Sequence, residues 1–211
     1  MFDAVSKVLV LAPHTDDGEL GVGGTIARMV SQNITVYYAA FSTAEASVPE
    51  GMPPGILKSE VVEATSELGI HPDHLFIYDY EVRKLGYRRQ EILEQLIQLR
   101  ETIAPDLVFL PSLHDIHQDH SALTQEGIRA FKNCKLLGYE LIWNNLSFDT
   151  ECFVQLEQEH VRAKANALKA YRSQRHRNYM SEEFIFALAK TRGVQIGASY
   201  AEAFEVIRWI I

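Results

Sequence analysis

Hydrophobic and polar positions divide the chain into two kinds of segment. Short apolar runs, typical of buried strands, lie at 7–12, 33–40, 75–78, 106–110, 136–141 and 204–211. Segments with the apolar spacing of helices lie at 25–31, 57–68, 89–103, 121–132, 158–171 and 182–190. Strands that alternate with helices predict an α/β fold with a mainly parallel sheet and helices on both faces.

Two segments fit neither pattern. Residues 14–24, after the first strand, are polar and rich in glycine, which predicts a loop. Residues 42–55 are rich in small residues, glycine and proline, and predict a mobile loop near a functional site. Because no repeat or shift in composition divides the chain, we expect a single domain over residues 1–211.

Composition narrows the class of protein. The chain has 211 residues, of which 47% are hydrophobic and 23% charged, as in globular proteins with a core. The formal net charge of −8 disfavours binding to nucleic acid or anionic membranes. No segment reaches the roughly 20 apolar residues of a membrane span, and no secretory signal is evident. We therefore expect a cytoplasmic protein.

The chemistry concentrates in two polar loops, 13–19 and 111–120, that each follow a predicted buried strand. Together they hold four of the eight histidines, namely His14, His114, His117 and His120. Functional sites of open parallel sheets lie beyond the carboxyl ends of the strands, so the loops would face each other if their strands are neighbours.

Histidine and aspartate side chains in such loops are suitable zinc ligands. A catalytic zinc ion has three protein ligands and one position for water, and a carboxylate that does not bind the metal acts as general base. The adjacent Asp16 and Asp17 can divide these two tasks, although the residue pattern leaves open which does which. With only two isolated cysteines, Cys134 and Cys152, a thiolate zinc site is excluded.

Each residue also has a structural interpretation. Asp16, Asp17 and Glu19 can cap a helix that begins near residue 23, and Asp119 can be the N-cap of the helix that follows it. His114 can be a loop residue without a task. The glycines at 18–24 miss the spacing of a dinucleotide-binding loop, and two adjacent aspartates suit a glycosidase poorly.

The two loops resemble the signatures of one enzyme family. Residues 13–17, Pro-His-Thr-Asp-Asp, resemble the Pro-His-x-Asp-Asp signature of the LmbE-like (PIG-L) N-acetylglucosaminyl deacetylases, and residues 117–120 resemble their His-x-Asp-His signature. Segments 171–174 and 200–206 also resemble that family. The resemblance implies a Rossmann-like three-layer α/β sandwich and a metal-dependent hydrolase that removes the acetyl group from an N-acetylated amino sugar.

The resemblance also implies a role for each position. His14, Asp17 and His120 would bind zinc, and Asp16 would be the general base. Iron(II) accepts the same ligands as zinc. Members of this family often form oligomers, so a homo-oligomer is possible.

Two further roles complete the implied catalytic set. His117 would stabilise the oxyanion or protonate the leaving amine, and Asp119 would hold a histidine tautomer. Many members carry an arginine in the helix after the mobile loop, where this chain has Leu57 and Lys58. Lys58 is therefore predicted to take the place of this arginine as a substrate contact. Arg83 is predicted as a second substrate contact, for an anionic aglycone, phosphate or nucleotide. Two alternatives stay open: an amidase for another amide, such as a thiol conjugate, and a non-catalytic metal-stabilised binding protein.

Overall fold

The computed structural model describes residues 5–210, which contain one mixed sheet, six α-helices and five short 3-10 turns. The strands are β1 (Lys7–His14), β2 (Thr35–Ser42), β3 (Leu75–Ile77), β4 (Leu107–Pro111), β5 (Lys135–Tyr139), β6 (Cys152–Leu156) and β7 (Tyr200–Arg208). The helices are α1 (Asp17–Ser31), α2 (Ile56–Glu67), α3 (Arg89–Ile103), α4 (Gln118–Ala130), α5 (Gln158–Leu168) and α6 (Glu182–Gln195).

The strand order places β1 and β4 side by side at the centre of the sheet. The order is β3-β2-β1-β4-β5-β7-β6, and the first five strands are parallel. Strand β7 runs antiparallel to both β5 and β6. The chain turns from one half of the sheet to the other between β1 and β4, and such a switch point opens a crevice at the carboxyl edge.

The core consists of two hydrophobic layers, one on each face of the sheet. Alternate residues of β1 point to opposite layers: Val8 and Val10 join one layer, whereas Leu9 and Leu11 join the other. Helices α1, α2, α5 and α6 cover the first layer, and α3 and α4 cover the second. This arrangement confirms the predicted three-layer α/β fold with a mainly parallel sheet.

The prediction of a loop over 14–24 is wrong, because α1 begins at Asp17. Its glycines are needed for close packing. A Cβ atom on Gly18 would lie 2.4 Å from a ring carbon of Tyr38, and one on Gly21 would lie 2.3 Å from the ring of Tyr139. The helix therefore packs its backbone directly on these aromatic rings. The glycines that allow this contact are the reason why the segment was predicted as a loop.

The last third differs most from the predicted elements. Strand β6 was not predicted, because five residues with a polar Gln155 give too short a pattern. The predicted strand at 204–211 begins four residues earlier, at Tyr200, and its last residue lies outside the described residues. Every helix described between residues 5 and 210 is too short or too polar to span a bilayer. The cytoplasmic location and the homo-oligomer stay predictions.

Candidate metal centre and active site

The two polar loops meet at the carboxyl ends of β1 and β4. His14 is the last residue of β1, and Asp16 and Asp17 lead into α1. His117 and His120 lie where α4 begins, after the loop that follows β4. Since β1 and β4 are paired neighbours, both groups occupy one end of the crevice.

Three donor atoms converge between the loops. Asp17 Oδ2 lies 3.0 Å from His14 Nδ1 and 3.2 Å from His120 Nε2, and these two nitrogens are 3.2 Å apart. Two ligands that each lie about 2.0–2.1 Å from a tetrahedral zinc ion are about 3.3 Å apart. The three side chains therefore form a candidate His–His–Asp metal site with the spacing that such an ion requires.

The second ring nitrogen of each histidine faces a carboxylate. His14 Nε2 lies 3.1 Å from Asp119 Oδ2, and His120 Nδ1 lies 2.7 Å from Asp115 Oδ2. A carboxylate accepts the ring proton, which leaves a lone pair on the nitrogen that faces the metal site. The nitrogens on the other side of the two rings lie 3.2 Å apart, close enough to bind one cation together. The carboxylates of Asp119 and Asp115 are therefore placed to orient both rings toward the candidate metal site.

His117 fits the metal less well than Asp17. The ligand atoms of His14, His117 and His120 also lie within 4.8 Å of one another, so distance alone does not exclude His117 as a ligand. Its Nδ1 accepts a hydrogen bond of 3.2 Å from the Asp119 N–H and so caps α4. The ring proton therefore lies on Nε2, and the alternative that Asp119 is the N-cap is wrong.

The two adjacent aspartates, Asp16 and Asp17, have pKa values that are shifted in opposite directions. Burial would raise the pKa of Asp17, but the charges of His120 and His14 lower it far below its usual range. Burial and the negative charge of Asp17 raise the pKa of Asp16 to about 6. Neighbouring carboxyl groups with separated pKa values suit different tasks. Asp17 is a permanent anion beside the histidines, whereas Asp16 is suited to exchange a proton.

The histidines also differ from one another. Burial lowers the pKa of His14 and His120, but nearby carboxylates outweigh it and raise the values to about 9 and about 10. Burial and the charges of His120 and His14 lower the pKa of His117 to about 4. His117 is therefore a neutral N–H donor, which favours oxyanion stabilisation over proton transfer to the amine.

Asp16 holds the N-cap position of α1, yet its side chain makes no capping hydrogen bond within the described helix. Glu19 does not cap the helix either. It is fully buried and accepts hydrogen bonds from the hydroxyls of Tyr38 and Tyr171. The Tyr171 hydroxyl also lies 2.6 Å from the Thr15 carbonyl oxygen. This polar layer fixes the turn that carries Asp16, and it gives Tyr171 a structural task.

Asp119 connects the metal site to a third segment of chain. It is fully buried and accepts hydrogen bonds from the backbone N–H groups of Arg83 and Leu85 as well as from His14. Asp115 lies in the second polar loop but was not predicted as a site residue. An acidic residue two positions before His117 is the feature that could have identified it.

The candidate metal site opens into a cavity of about 240 Å³. Of the two predicted substrate contacts, Arg83 lines the cavity. Lys58 is exposed and does not line it, whereas its neighbour Leu57 does. Further lining residues that the sequence did not indicate are Trp143, Asn144, Arg177 and Tyr179. The rings of Trp143 and Tyr179 stack with centroids 3.8 Å apart.

The two glutamates of the C-terminal segment have structural tasks. Glu202 accepts hydrogen bonds from two backbone N–H groups of α1 and from Lys164 Nζ at 2.7 Å. Glu205 accepts hydrogen bonds from the Ser112 hydroxyl and the Leu113 N–H, so it holds the start of the second polar loop. His114 lies half-exposed, 3.7 Å from Glu205 and outside the cavity.

Residues 9–131 match the PIG-L family, whose description is GlcNAc-PI de-N-acetylase. The chain belongs to the PIG-L family. This confirms the family predicted from the two motifs and, with it, the prediction of a deacetylase-type hydrolase.

Individual relatives agree with this assignment. A probable N-acetyl-α-D-glucosaminyl L-malate deacetylase 2 of Bacillus subtilis is 29% identical over 195 residues, which cover 79% of this chain and 82% of the relative. The conserved protein TT1542 of Thermus thermophilus is 26% identical with a TM-score of 0.82, over 98% of this chain and 96% of that one. The N,N'-diacetylchitobiose deacetylase of Pyrococcus horikoshii shares the fold, with 23% identity, a TM-score of 0.81 and coverage of 98% and 85%.

Proposed function

We propose that this PIG-L protein is a zinc-dependent N-deacetylase that removes the acetyl group from an amino sugar or glycoconjugate of the N-acetylglucosamine type. The convergence of the His14, Asp17 and His120 donor atoms within 3.2 Å, with Asp16 in the same cavity, carries the proposal. The Bacillus subtilis and Pyrococcus horikoshii relatives are both named as deacetylases of N-acetylated sugars, which supports this substrate class.

His14, Asp17 and His120 would hold the metal ion. When bound, zinc supplies a Lewis acid that polarises a carbonyl and lowers the pKa of water. Asp16 accepts a proton from the water that attacks the acetyl carbonyl, and it returns that proton to the nitrogen of the leaving amine. His117 donates a hydrogen bond from Nε2 to the oxyanion. Asp115 and Asp119 orient His120 and His14. The products are acetate and the free amino sugar.

The proposal is tested by acetate release from N-acetylglucosamine and its glycosides, with the zinc content of the protein measured beside it. Replacing Asp16 with alanine should leave zinc bound and lower the rate by about 10²–10⁴-fold, because the general base is lost. Replacing the exposed Asp73 with alanine is the matched control and should change nothing. Unchanged turnover in the Asp16→Ala variant contradicts the role of base.

Metal binding has a test of its own. The His120→Ala variant should lose zinc, and full occupancy in that variant would refute its role as ligand. Metal analysis of the purified protein distinguishes zinc from iron(II). Acetate release from no sugar, together with activity on a thiol-conjugated amide, would favour the alternative amidase. Tight zinc without any turnover would favour a binding protein.

A further inference from the structure

One histidine of the second polar loop takes no part in the cavity. His114 is half-exposed, and its Nε2 atom lies 3.7 Å from Glu205 Oε1 and 3.7 Å from Asp149 Oδ2. The three side chains come from separate parts of the chain, namely the loop after β4, the segment before β6 and strand β7. Their ligand atoms all lie within 4.8 Å of one another. One nitrogen and two carboxylate oxygens therefore converge at a second place, outside the cavity lining.

Glu205 is a buried carboxylate without a fixed cationic partner. It is 4% exposed, and among residues 5–210 its only ion-pair contact is with His114. A buried carboxylate is costly unless a positive charge and hydrogen bonds compensate it. His114 also faces Asp149, so even a protonated ring would supply one positive charge for two carboxylates. Other buried glutamates differ, because each pairs with an arginine or a lysine: Glu126, Glu140 and Glu202. A divalent cation would supply the positive charge that the cluster lacks.

The backbone around the cluster is held in place by hydrogen bonds. The Ser112 hydroxyl donates to Glu205 Oε1 at 2.8 Å and accepts the His114 N–H at 3.0 Å. A carboxylate oxygen has two lone pairs, so Oε1 can accept this hydrogen bond and still bind a metal ion. The Glu151 N–H donates to a backbone carbonyl of β7 at 3.2 Å, which keeps Asp149, two residues earlier, beside that strand. The ligands are therefore positioned before any ion binds.

The donor set favours zinc over calcium or magnesium. Calcium and magnesium bind oxygen ligands, whereas an imidazole nitrogen with carboxylates suits zinc. Ligands of a tetrahedral zinc ion lie about 3.3 Å apart, so the 3.7 Å contacts of His114 must shorten by about 0.4 Å. His114 and Asp149 are 45% and 71% exposed, which leaves both side chains free to make this adjustment. Ordering exposed side chains costs conformational entropy, so we expect a lower affinity than at the candidate metal site in the cavity.

We propose that His114, Asp149 and Glu205 bind a second zinc ion, with lower affinity than the site in the cavity. The second site does not depend on the proposed function, because none of its ligands lines the cavity. The ion would connect the second polar loop to the segment before β6 and to β7. Since Asp115 and His117 follow His114 in that loop, the second ion would stabilise the part of the chain that carries both.

Equilibrium dialysis of the full chain against increasing concentrations of zinc tests the second site. We expect two steps in the wild-type protein and loss of the weaker step in His114→Ala, which lowers zinc at saturation by about one ion per chain. Asp149→Asn should weaken this step by at least about 10-fold, the loss typical of a carboxylate that only orients a ligand. His71→Ala is the matched control and should keep both steps. The exposed His71 also faces a carboxylate, Asp73 at 3.6 Å, but belongs to no three-ligand cluster among the described residues.

Two measurements separate the second site from the cavity site. His120→Ala removes a ligand of the cavity site, and the weaker step should persist in that variant at high zinc concentration. A chelator removes zinc from the weaker site first, so chelator competition measures the cavity site alone, and Asp149→Asn should leave that affinity unchanged. Zinc at the concentration of the weaker step should raise the melting temperature of His120→Ala, but not that of the double variant His114→Ala/His120→Ala.

An equal zinc count in the wild-type, His114→Ala and His71→Ala proteins would overturn the proposal. Displacement of the weaker zinc ion by excess calcium would also overturn it, because calcium does not require a nitrogen ligand. Equal zinc-induced shifts of the melting temperature in His120→Ala and in the double variant would refute the stabilising role. Thermal unfolding of the metal-free proteins shows that each variant is folded, and Asp149→Asn decides the outcome if His114→Ala is not.

Discussion

Replacing Asp115 with asparagine should weaken zinc binding by removing one buried negative charge. Asp115 is 6% exposed, and its two oxygens accept hydrogen bonds from His120 Nδ1 at 2.7 Å and from the His117 N–H at 2.8 Å. An asparagine has one acceptor oxygen. If that oxygen faces His120, its NH₂ group faces the His117 N–H, and two donors then oppose each other.

The magnitude follows from this geometry. Removing a carboxylate that orients a metal-bound histidine typically lowers metal affinity about 10- to 100-fold. This range corresponds to about 1.4–2.7 kcal/mol. The 2.7 Å contact is buried and charge-assisted, so we expect a loss in the upper half of the range. Asp115→Ala removes both contacts and should weaken zinc binding at least as much.

Competition with a chromophoric chelator gives the zinc dissociation constant of each variant. Asp149→Asn is the matched control, because the Asp149 carboxylate is exposed and lies near His114 outside the cavity. Thermal unfolding of the metal-free proteins shows whether Asp115→Asn remains folded. A wild-type zinc affinity in a folded Asp115→Asn protein would refute the orienting role, as would an equal loss in the Asp149→Asn control.

Three further predictions concern stability. Gly21→Ala should destabilise the protein by about 1–3 kcal/mol in urea unfolding, because the new Cβ would lie 2.3 Å from the Tyr139 ring. Gly86→Ala is the control and should not destabilise it, because a Cβ there has no neighbouring atom within 4 Å. Tyr171→Phe should cost about 1–3 kcal/mol in the same assay, since the buried Glu19 loses a donor, and an unchanged midpoint would contradict this. With zinc present at 100 times its dissociation constant, adding a chelator should lower the free energy of unfolding by about 2.7 kcal/mol. An equal melting temperature with and without the chelator would disprove metal binding to the native state.

The sequence predicted the central elements because their patterns are long or uninterrupted. Strands β1 and β4 are continuous apolar runs with polar loops directly after them, and α3 has a full amphipathic stripe. These features placed each polar loop at the carboxyl end of a buried strand, whereas the pairing of β1 with β4 is seen only in the structure. The residue types alone did not separate Asp16 from Asp17, because both carboxylates have the same chemistry in isolation. Burial and the positions of His14 and His120 distinguish them in the structure.

The parts that the sequence did not predict depend on contacts between distant segments. Asp119 binds backbone groups at Arg83 and Leu85, and this contact crosses more than thirty positions of the chain. The cavity wall likewise combines Trp143 with Tyr179, whose rings stack across two loops of irregular pattern. Hydrophobic periodicity carries no information about such pairs, since neither loop repeats with a helical or strand period.

The glycines of α1 explain why the first turns of this helix were predicted as a loop. Gly18 lies directly after Asp17, and its N–H donates to the Tyr38 hydroxyl at 3.1 Å, which is possible because no Cβ separates the helix from β2. The same hydroxyl donates to Glu19, below the turn that carries Asp16. A side chain at Gly18 would therefore push the first turn of α1 away from β2 and move Asp17 relative to His14. Glycine at this position is therefore required for the geometry of the candidate metal site, and composition alone could not distinguish that requirement from loop flexibility.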